Sequence, residues 1–327
     1  MVDLVFWGWS DIVRRRALLA TRRIQRIHNL YVVVDSQVYE VRRSVLTEDV
    51  RGSLSRKPLW HISSLLERPE KGIVYVSGIN TVHGPRAIAA LEAGWHVVVD
   101  KPGFVLRSDL QRASALAVAH SRLLREAIVW DHHEQVRQLA RVLRSQDLIP
   151  EVLLGNFCIP GFDSDNFRNS LESGGGACWD LGPYAVTAAQ PFGLDGFKIE
   201  SSHLLQESGA QLPDSGFVVA ATVGAGSTFV GTFSHKSSYL NQLVLLGRDF
   251  RAELRPAFSS RADLSIRVSL EVANEDQSFV VKPSDSFENF LKACVNAVEQ
   301  GDVLSGVSAI NRSTSQILEL RHTLGLS

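Results

Sequence analysis

Short apolar runs alternate with helix-forming segments over residues 1–122. The runs lie at residues 2–7, 31–34, 72–78 and 96–99, and helical spacing of apolar residues follows the first and third runs. Buried strands that alternate with helices form a parallel sheet that is covered by helices on both faces. We therefore predict that residues 1–122 form a doubly wound, Rossmann-type α/β domain that binds a dinucleotide.

A different pattern begins after residue 122. Strand-like stretches now follow one another with turns between them, and two amphipathic helices end the chain. Strands joined by turns indicate an antiparallel sheet. We therefore predict that residues 123–327 form an α+β domain with a large, mainly antiparallel open sheet. In chain order the predicted elements are a helix at 133–144, strands at 151–159, 217–223, 228–234, 243–246 and 264–272, and helices at 287–298 and 307–324.

Charge and hydropathy exclude two classes of partner. The 34 Lys and Arg residues nearly balance the 35 Asp and Glu residues, and a net charge of −1 gives no global field for nucleic acid or an anionic membrane. Neither a membrane-spanning apolar run nor a signal-peptide pattern occurs, so we expect a cytoplasmic protein. Cys158, Cys178 and Cys294 lie far apart in the chain, which favours buried, reduced thiols over disulfides or a zinc site.

The turn after the first predicted strand reads Gly8-Trp9-Ser10-Asp11-Ile12-Val13. In a dinucleotide-binding domain this turn needs small residues, because the pyrophosphate lies against backbone N–H groups at the start of the next helix. Of the three glycines of the Gly-x-Gly-x-x-Gly fingerprint only Gly8 is present, so an ordinary strand-to-helix turn explains the segment equally well. The candidate cofactor contacts here are Gly8, Ser10, Asp11 and Ile12.

An acidic residue ends the second predicted strand, as the fingerprint requires. A carboxylate at Asp35 would accept hydrogen bonds from the adenosine ribose hydroxyls and would repel a 2′-phosphate. Asp35 and the adjacent Ser36 are therefore candidate cofactor contacts, and NADH is favoured over NADPH. The alternative is an aspartate that only caps the next turn.

Two longer segments carry a family resemblance. Residues 76–83 and 89–102 read VSGINTVH and AALEAGWHVVVDKP, and residues 174–182 read GGGACWDLG. In order and spacing they resemble the glucose-fructose oxidoreductase and inositol dehydrogenase (Gfo/Idh/MocA) family, with Asp100-Lys101-Pro102 in place of Glu-Lys-Pro. The resemblance implies NAD or NADP as cofactor. It also implies cofactor contacts from Gly78, Asn80, His83, Asp100, Lys101 and Pro102.

One departure from the family pattern points to a branch within it. Tyr184 stands two residues after Gly182, where many members have histidine. Asp-x-Gly-x-Tyr resembles the nucleotide-linked sugar 3-ketoreductases, in which a tyrosine acts as acid, and the stretches around His132 and Arg168 resemble that branch too. The resemblance further implies a small-molecule substrate, a sugar or nucleotide-linked sugar, and a homodimer or homotetramer formed through the C-terminal sheet.

Hydride transfer to a ketone creates an alkoxide that needs a proton donor. We expect Tyr184 to be that donor and Lys101 to be its electrostatic partner, since a nearby ammonium lowers the pKa of a tyrosine. Arg168 is a candidate for pairing with a diphosphate or for a surface ion pair. Asp180 positions the substrate or Lys101, or it caps its helix. His132 and His133 favour substrate contact or a polar surface over a metal site, because adjacent histidines do not face one ion easily.

The sequence thus predicts an NAD(P)-dependent oxidoreductase that reduces a keto group of a sugar or sugar nucleotide. Two alternatives stay open. The degraded glycine pattern also suits a non-catalytic, cofactor-binding scaffold or regulatory protein. The fold alone does not select the substrate, so a cyclic polyol, a linear tetrapyrrole or an imine is also compatible with the sequence.

Overall fold

The computed structural model describes residues 1–47, 50–68, 72–205 and 213–326. It divides into two compact units: the first comprises Met1–Ala127 and Phe287–Thr314, and the second comprises Ile128–Ser286 and Ser315–Ser327. The chain therefore leaves the first unit and later returns to it, which differs from a single boundary after residue 122.

A seven-stranded sheet forms the centre of the first unit, in the order β4-β3-β2-β1-β5-β6-β7. The five strands β2, β1, β5, β6 and β7 are parallel, so the predicted parallel sheet is confirmed, and β7 adds a strand that the sequence did not predict. The strand order changes direction at β1, since β2 lies on one side of it and β5 on the other. Ligands of such sheets bind at the carboxyl ends of the strands, near this reversal. The strands are β1 Val2–Trp7, β2 Ile27–Val34, β3 Gln37–Glu40, β4 Trp60–His61, β5 Ile73–Val76, β6 His96–Val99 and β7 Leu124–Glu126.

The parallel strands are apolar because both of their faces are covered. All four residues of β5 and all four of β6 are buried, which explains their continuous apolar sequence. A core cluster joins these strands to the helices that cover the sheet, and it includes Val307 and Ile310 from near the end of the chain. The helices of this unit are α1 Leu18–Ala20, α2 Ile62–Leu66, α3 His83–Glu92 and α4 Arg107–Ala119, with α7 Ser286–Gln300 and the first part of α8 Ser305–Thr323.

The segment between β2 and β5 was not predicted correctly. The sequence predicted no strand or helix in this polar segment, but it contains two antiparallel strands, β3 and β4, that extend the parallel sheet at its edge. The only buried residue of β3 is Val38, so the strand lacks the apolar alternation that would identify it. The first helix also differs from expectation, because it begins with a π-helical segment at Val13–Ala17 before α1.

The second unit is built on a nine-stranded sheet in the order β15-β14-β13-β12-β8-β11-β10-β9, with β16 paired to β14. Its neighbouring strands are antiparallel except β8 and β11, which are parallel, so the predicted mainly antiparallel sheet is confirmed. Helices α5 Glu134–Ser145 and α6 Ala177–Thr187 accompany it. The strands are β8 Val152–Cys158, β9 Phe197–Leu204, β10 Gly216–Val223, β11 Ser227–Ser234, β12 Leu240–Leu246, β13 Phe250–Leu254, β14 Ile266–Val272, β15 Glu275–Asp276 and β16 Phe279–Val281.

The sequence predicted reduced, buried cysteines and no membrane-spanning apolar run. All three cysteines are free and buried, as predicted. Burial raises the pKa of the Cys294 thiol to about 12, so this thiol is inert at neutral pH. Within the part of the chain that the structure describes, no helix is long and apolar enough to cross a membrane.

Candidate active site

The turn after β1 depends on glycine because two strand ends nearly touch there. Gly8 has φ of 135°, and a Cβ atom on it would lie 2.2 Å from the carbonyl oxygen of Ser77. Ser10, which occupies the position of the second fingerprint glycine, shares a 2.5 Å hydrogen bond with the Ser77 hydroxyl. Arg86 donates to the Ser77 carbonyl oxygen at 2.7 Å. The turn is therefore held by side chains from the β5 end rather than by further glycines.

The other predicted residues of this turn lie in the helical segment that follows. Asp11 is exposed and forms an ion pair with Arg14, and Ile12 is half-buried. The backbone N–H of Arg14 donates to the Ser10 carbonyl oxygen at 3.0 Å, so helical hydrogen bonding begins at Ser10. The Val13 N–H donates to the Ser10 hydroxyl at 3.3 Å. N–H groups at the start of a helix are the groups that bind a pyrophosphate in this type of fold.

Asp35 and Ser36 form a two-residue hairpin between β2 and β3. Their φ angles are 47° and 63°, the left-handed values that such a tight hairpin requires at both central positions. Asp35 lines a cavity of about 650 Å³ at the carboxyl end of β2, and Trp9 lines the same cavity. The carboxylate is thus placed where a dinucleotide ribose binds in this fold.

The loop after β6 carries Lys101 and is held by buried polar groups. The peptide bond between Lys101 and Pro102 is cis. Asp100 accepts a hydrogen bond from the Lys101 N–H at 3.0 Å, and His83 Nδ1 lies 2.9 Å from the Pro102 carbonyl oxygen. Because a carbonyl can only accept, Nδ1 of His83 carries the proton. Burial lowers the pKa of His83, which keeps the ring neutral.

Gly78 and Asn80 lie on the loop after β5, as predicted, next to the loop that carries Lys101. Gly78 has φ of 142°, and Asn80 is buried at the start of a single 3-10 turn that leads to His83. Burial raises the pKa of the Asp100 carboxyl, with partial compensation from the charge and the backbone N–H of Lys101. The loops after β5 and β6 therefore share one buried polar cluster at the carboxyl ends of their strands.

Sequence reasoning missed Glu126, which holds the same loop from the end of β7. Its carboxylate accepts the Gly103 N–H at 2.7 Å and the Ser313 hydroxyl at 2.5 Å. Burial raises its pKa, and the two hydrogen bonds lower it in part. The only sequence signal is a lone carboxylate within the apolar run of residues 123–130.

We expect Glu126→Gln to change how stability depends on pH. The folded-state pKa lies above the ordinary value of 4.5, so the wild type loses stability as pH rises from 4.5 toward that higher pKa. Glutamine does not titrate, and its amide oxygen and NH₂ group can keep the Gly103 and Ser313 contacts. Urea unfolding across this pH range should show the variant gaining stability relative to the wild type as pH rises. A constant difference between the two proteins would contradict the assignment.

In the second unit, α6 carries both Asp180 and Tyr184. Its start is held by Asp214, which accepts the Cys178 N–H at 2.6 Å, and a Cβ on Gly176 would lie 2.2 Å from the Asp214 carboxylate. Burial raises the pKa of Asp214. The alternative in which Asp180 caps its own helix is therefore wrong, because Asp214 has that role.

Asp180 instead contacts Arg168 and His235, which lie on other elements. Its Oδ2 accepts from Arg168 Nε at 2.9 Å and lies 3.0 Å from His235 Nε2. The Arg168 guanidinium lies over the rings of Phe162 and Phe167, at 4.9 and 4.6 Å from their centroids. Asp180 and Arg168 were predicted, but they pair with each other, and a role of Arg168 toward a diphosphate stays a prediction. His235 was missed because it is distant in sequence from both partners.

Tyr184 is half-buried, one turn after Asp180 on α6. Its ring packs edge-on against Phe157 and tilted against Phe258, with centroids 5.1 and 5.6 Å away. Aromatic packing of this kind restricts the ring to one orientation. The helix position and the ring contacts together fix the direction of the phenol group.

The two adjacent histidines have separate roles. His132 is buried and shares a 2.5 Å hydrogen bond with Arg137, whereas His133 caps α5 by accepting the Gln135 N–H at 3.2 Å. Substrate contact by His132 stays a prediction. Among the described residues, no group of three or more His, Cys, Asp or Glu side chains could hold a metal ion.

The first unit is a doubly wound domain with a phosphate-type turn after β1 and a loop after β6 that carries Lys101. The second unit carries Tyr184 on α6. Together these features define a nicotinamide-dependent oxidoreductase. Residues 8–128 match the model of the oxidoreductase family with an NAD-binding Rossmann fold (GFO_IDH_MocA). The chain is 30% identical over 242 residues to a dTDP-3,4-didehydro-2,6-dideoxy-alpha-D-glucose 3-reductase of Streptomyces antibioticus, covering 73% of each chain. It therefore belongs to this family, as the motifs indicated.

Two further comparisons cover more of the chain. A reductase of the same name from Actinomadura kijaniata is 28% identical over 297 residues, which are 90% of this chain and 87% of the relative. The crystal structure of the 3-ketoreductase KijD10 from the same organism, in complex with NADP and TDP-benzene, matches with a TM-score of 0.85 and 26% identity over 99% of this chain and 98% of KijD10. Both units are therefore similar to those of a sugar ketoreductase.

Proposed function

We propose that this protein reduces a keto group of a dTDP-linked deoxysugar, with NADPH as hydride donor. The observation that carries the proposal is the placement of Tyr184 one turn after Asp180 on α6, with its ring packed against Phe157 and Phe258. The relatives named as dTDP-sugar 3-reductases, and KijD10 with its bound NADP and TDP-benzene, support the substrate and the cofactor.

The residues of the first unit fit a dinucleotide. The close approach at Gly8 leaves room only for backbone, so an anion can reach the N–H groups at the start of the following helical segment. The cavity beside Asp35 lies at the carboxyl ends of β1 and β2, where the adenosine half binds in doubly wound folds. Gly8, Ser10 and the residues of the Lys101 loop would hold the cofactor.

The chain's own residues supply the proton chemistry. When bound, the dinucleotide supplies a hydride that adds to the carbonyl carbon. Tyr184 donates its hydroxyl proton to the carbonyl oxygen, which becomes the new alcohol, and the phenolate then takes a proton from water. The positive charge of Lys101 stabilises the phenolate. Asp180, which is oriented by Arg168 and His235, binds a hydroxyl of the substrate and positions the sugar ring.

The domain roles follow from this assignment. We propose that the region of residues 123–327 binds the sugar, since it carries Tyr184, Asp180 and Arg168. A homodimer or homotetramer formed through its large sheet stays a prediction from the family resemblance.

The test is consumption of NADPH with two acceptors and, in the reverse direction, oxidation of two alcohols. The oxidation of NADPH is measured by the loss of its absorbance. We expect oxidation with a dTDP-linked 3-keto-deoxysugar and much slower oxidation with the free keto sugar. In the reverse direction, the rates of oxidation of a cyclic polyol and of the dTDP-sugar product are compared. Equal rates would favour the polyol alternative. Binding of NADPH without turnover of any acceptor would favour the non-catalytic scaffold, and a protein that binds neither NADPH nor NADH would contradict both.

A further inference from the structure

Three arginines line the cavity at the carboxyl ends of β1 and β2. The cavity of about 650 Å³ is bounded by Trp9 from the turn after β1, by Asp35 from the hairpin after β2, and by Arg42, Arg51 and Arg56. We call these three arginines the arginine pocket. Trp7 and Val33 are paired in the parallel register of β1 and β2, so the two strand ends meet at the same level. The arginine pocket therefore adjoins the position of the adenosine half of a dinucleotide.

The arginine pocket is built by the polar segment between β2 and β5, in which the sequence predicted no strand or helix. After the hairpin, β3 runs back along β2, and an isolated bridge pairs Val41 with Leu54. The Arg42 N–H donates to the Ser53 carbonyl oxygen at 2.9 Å, and its guanidinium donates to the Gly52 carbonyl oxygen at 2.9 Å. These contacts bring the stretch that carries Arg51 and Arg56 to the cavity.

The composition of the cavity wall selects an anion. Three arginines and one aspartate line the cavity, so its ionisable side chains give an excess of positive charge. A phosphomonoester carries about −1.5 to −2 charges at neutral pH and accepts paired hydrogen bonds from guanidinium groups. The cavity also includes the aromatic rings of Trp9 and Tyr39, which suit a purine base.

We propose that Arg42, Arg51 and Arg56 bind the 2′-phosphate of NADP and make the protein select NADPH over NADH. The inference rests on the proposed function and names the residues that set its cofactor choice. It opposes the preference for NADH that was predicted from Asp35 alone. Asp35 repels the 2′-phosphate, and the arginines outweigh that repulsion by charge and by hydrogen bonding.

The adenosine half alone provides the test, because it separates cofactor selection from catalysis. Calorimetric titration of the full-length protein should show tighter binding of 2′,5′-ADP than of 5′-AMP. Arg51→Ala and Arg56→Ala should each weaken 2′,5′-ADP binding by about tenfold, the size of one charge-assisted hydrogen bond, and leave 5′-AMP binding unchanged. Arg56→Lys should keep part of the affinity, and Asp35→Ala should increase it.

Arg112→Ala is the matched control, because it removes the same positive charge as Arg51→Ala and Arg56→Ala. Arg112 is exposed, lies in the same unit and pairs with Glu92, so Arg112→Ala should leave both titrations unchanged. Arg42 is not replaced, because it also holds the Gly52 carbonyl oxygen. Equal binding of 2′,5′-ADP and 5′-AMP by the wild type, or equal weakening of both by the Arg51 and Arg56 variants, would overturn the assignment.

The same titrations separate failure of the inference from failure of the proposed function. If the arginine variants bind NADPH as tightly as the wild type does, the inference alone is wrong. If the wild type binds neither NADPH nor NADH, the proposed function is wrong and the inference falls with it.

Discussion

Replacing Tyr184 by phenylalanine is expected to lower kcat by about 10²- to 10⁴-fold, the usual contribution of a general acid. The substitution removes one hydroxyl and leaves the ring packed against Phe157 and Phe258. The affinity for NADPH should therefore stay as in the wild type, because Tyr184 belongs to the second unit and the cofactor residues to the first. Steady-state kinetics with the keto-sugar nucleotide and a separate NADPH titration measure the two effects.

Tyr239 provides the matched control for this substitution. It is 60% exposed, so Tyr239→Phe removes the same group from the surface of the second unit and should leave kcat unchanged. If the Tyr184→Phe enzyme keeps the wild-type kcat, Tyr184 is not the proton donor. Asp180 and His235 would then be the candidates for that role.

Replacing Lys101 by methionine is expected to lower kcat by about 10²- to 10³-fold, the cost of losing one preorganised group that stabilises developing negative charge. Methionine keeps the length of the side chain and removes its charge. Because a nearby ammonium favours phenolate, its loss should also move the alkaline limb of the pH-rate profile to higher pH. A lysine with only a structural role in the loop would not move that limb.

Lys198→Met is the control for charge removal, since Lys198 is exposed on β9 and pairs only with its neighbour Glu200 among the contacts seen. We expect wild-type kinetics from it. Loss of activity in the Lys101 variant without a shift in the pH profile would show that Lys101 positions a ligand and does not act on the proton donor.

The sequence predicted those parts of the structure in which local pattern and burial agree. Strands β1, β5 and β6 lie close to the predicted ranges, because buried parallel strands are continuously apolar. Strand β2 was predicted only in its second half, since it begins at Ile27 and not at residue 31. Strand β3 was missed since only Val38 within it is buried. In the second unit β13 was missed because it spans only the five residues Phe250–Leu254 after a turn.

Site residues followed a similar rule. Lys101, Asp180 and Tyr184 were found because they stand within motifs of fixed spacing. His235 contacts Asp180 from 55 residues away, and Asp214 holds the Cys178 N–H from 36 residues away. Neither residue can therefore be recognised from the sequence around its partner. The Asp35 hairpin shows the opposite case: the residue was recognised, but its meaning for cofactor choice depends on arginines that only the folded segment brings beside it.

The return of the chain to its first unit has a consequence for the order of synthesis on the ribosome. The core of the first unit includes Val307 and Ile310, and the carboxylate of Glu126 is satisfied in part by Ser313. All of these partners leave the ribosome after the entire stretch Ile128–Ser286 has been made. The first unit is thus begun before the second and cannot be completed before it. Glu126, which holds the loop that carries Lys101, gains its Ser313 contact only after Ile128–Ser286 has been made.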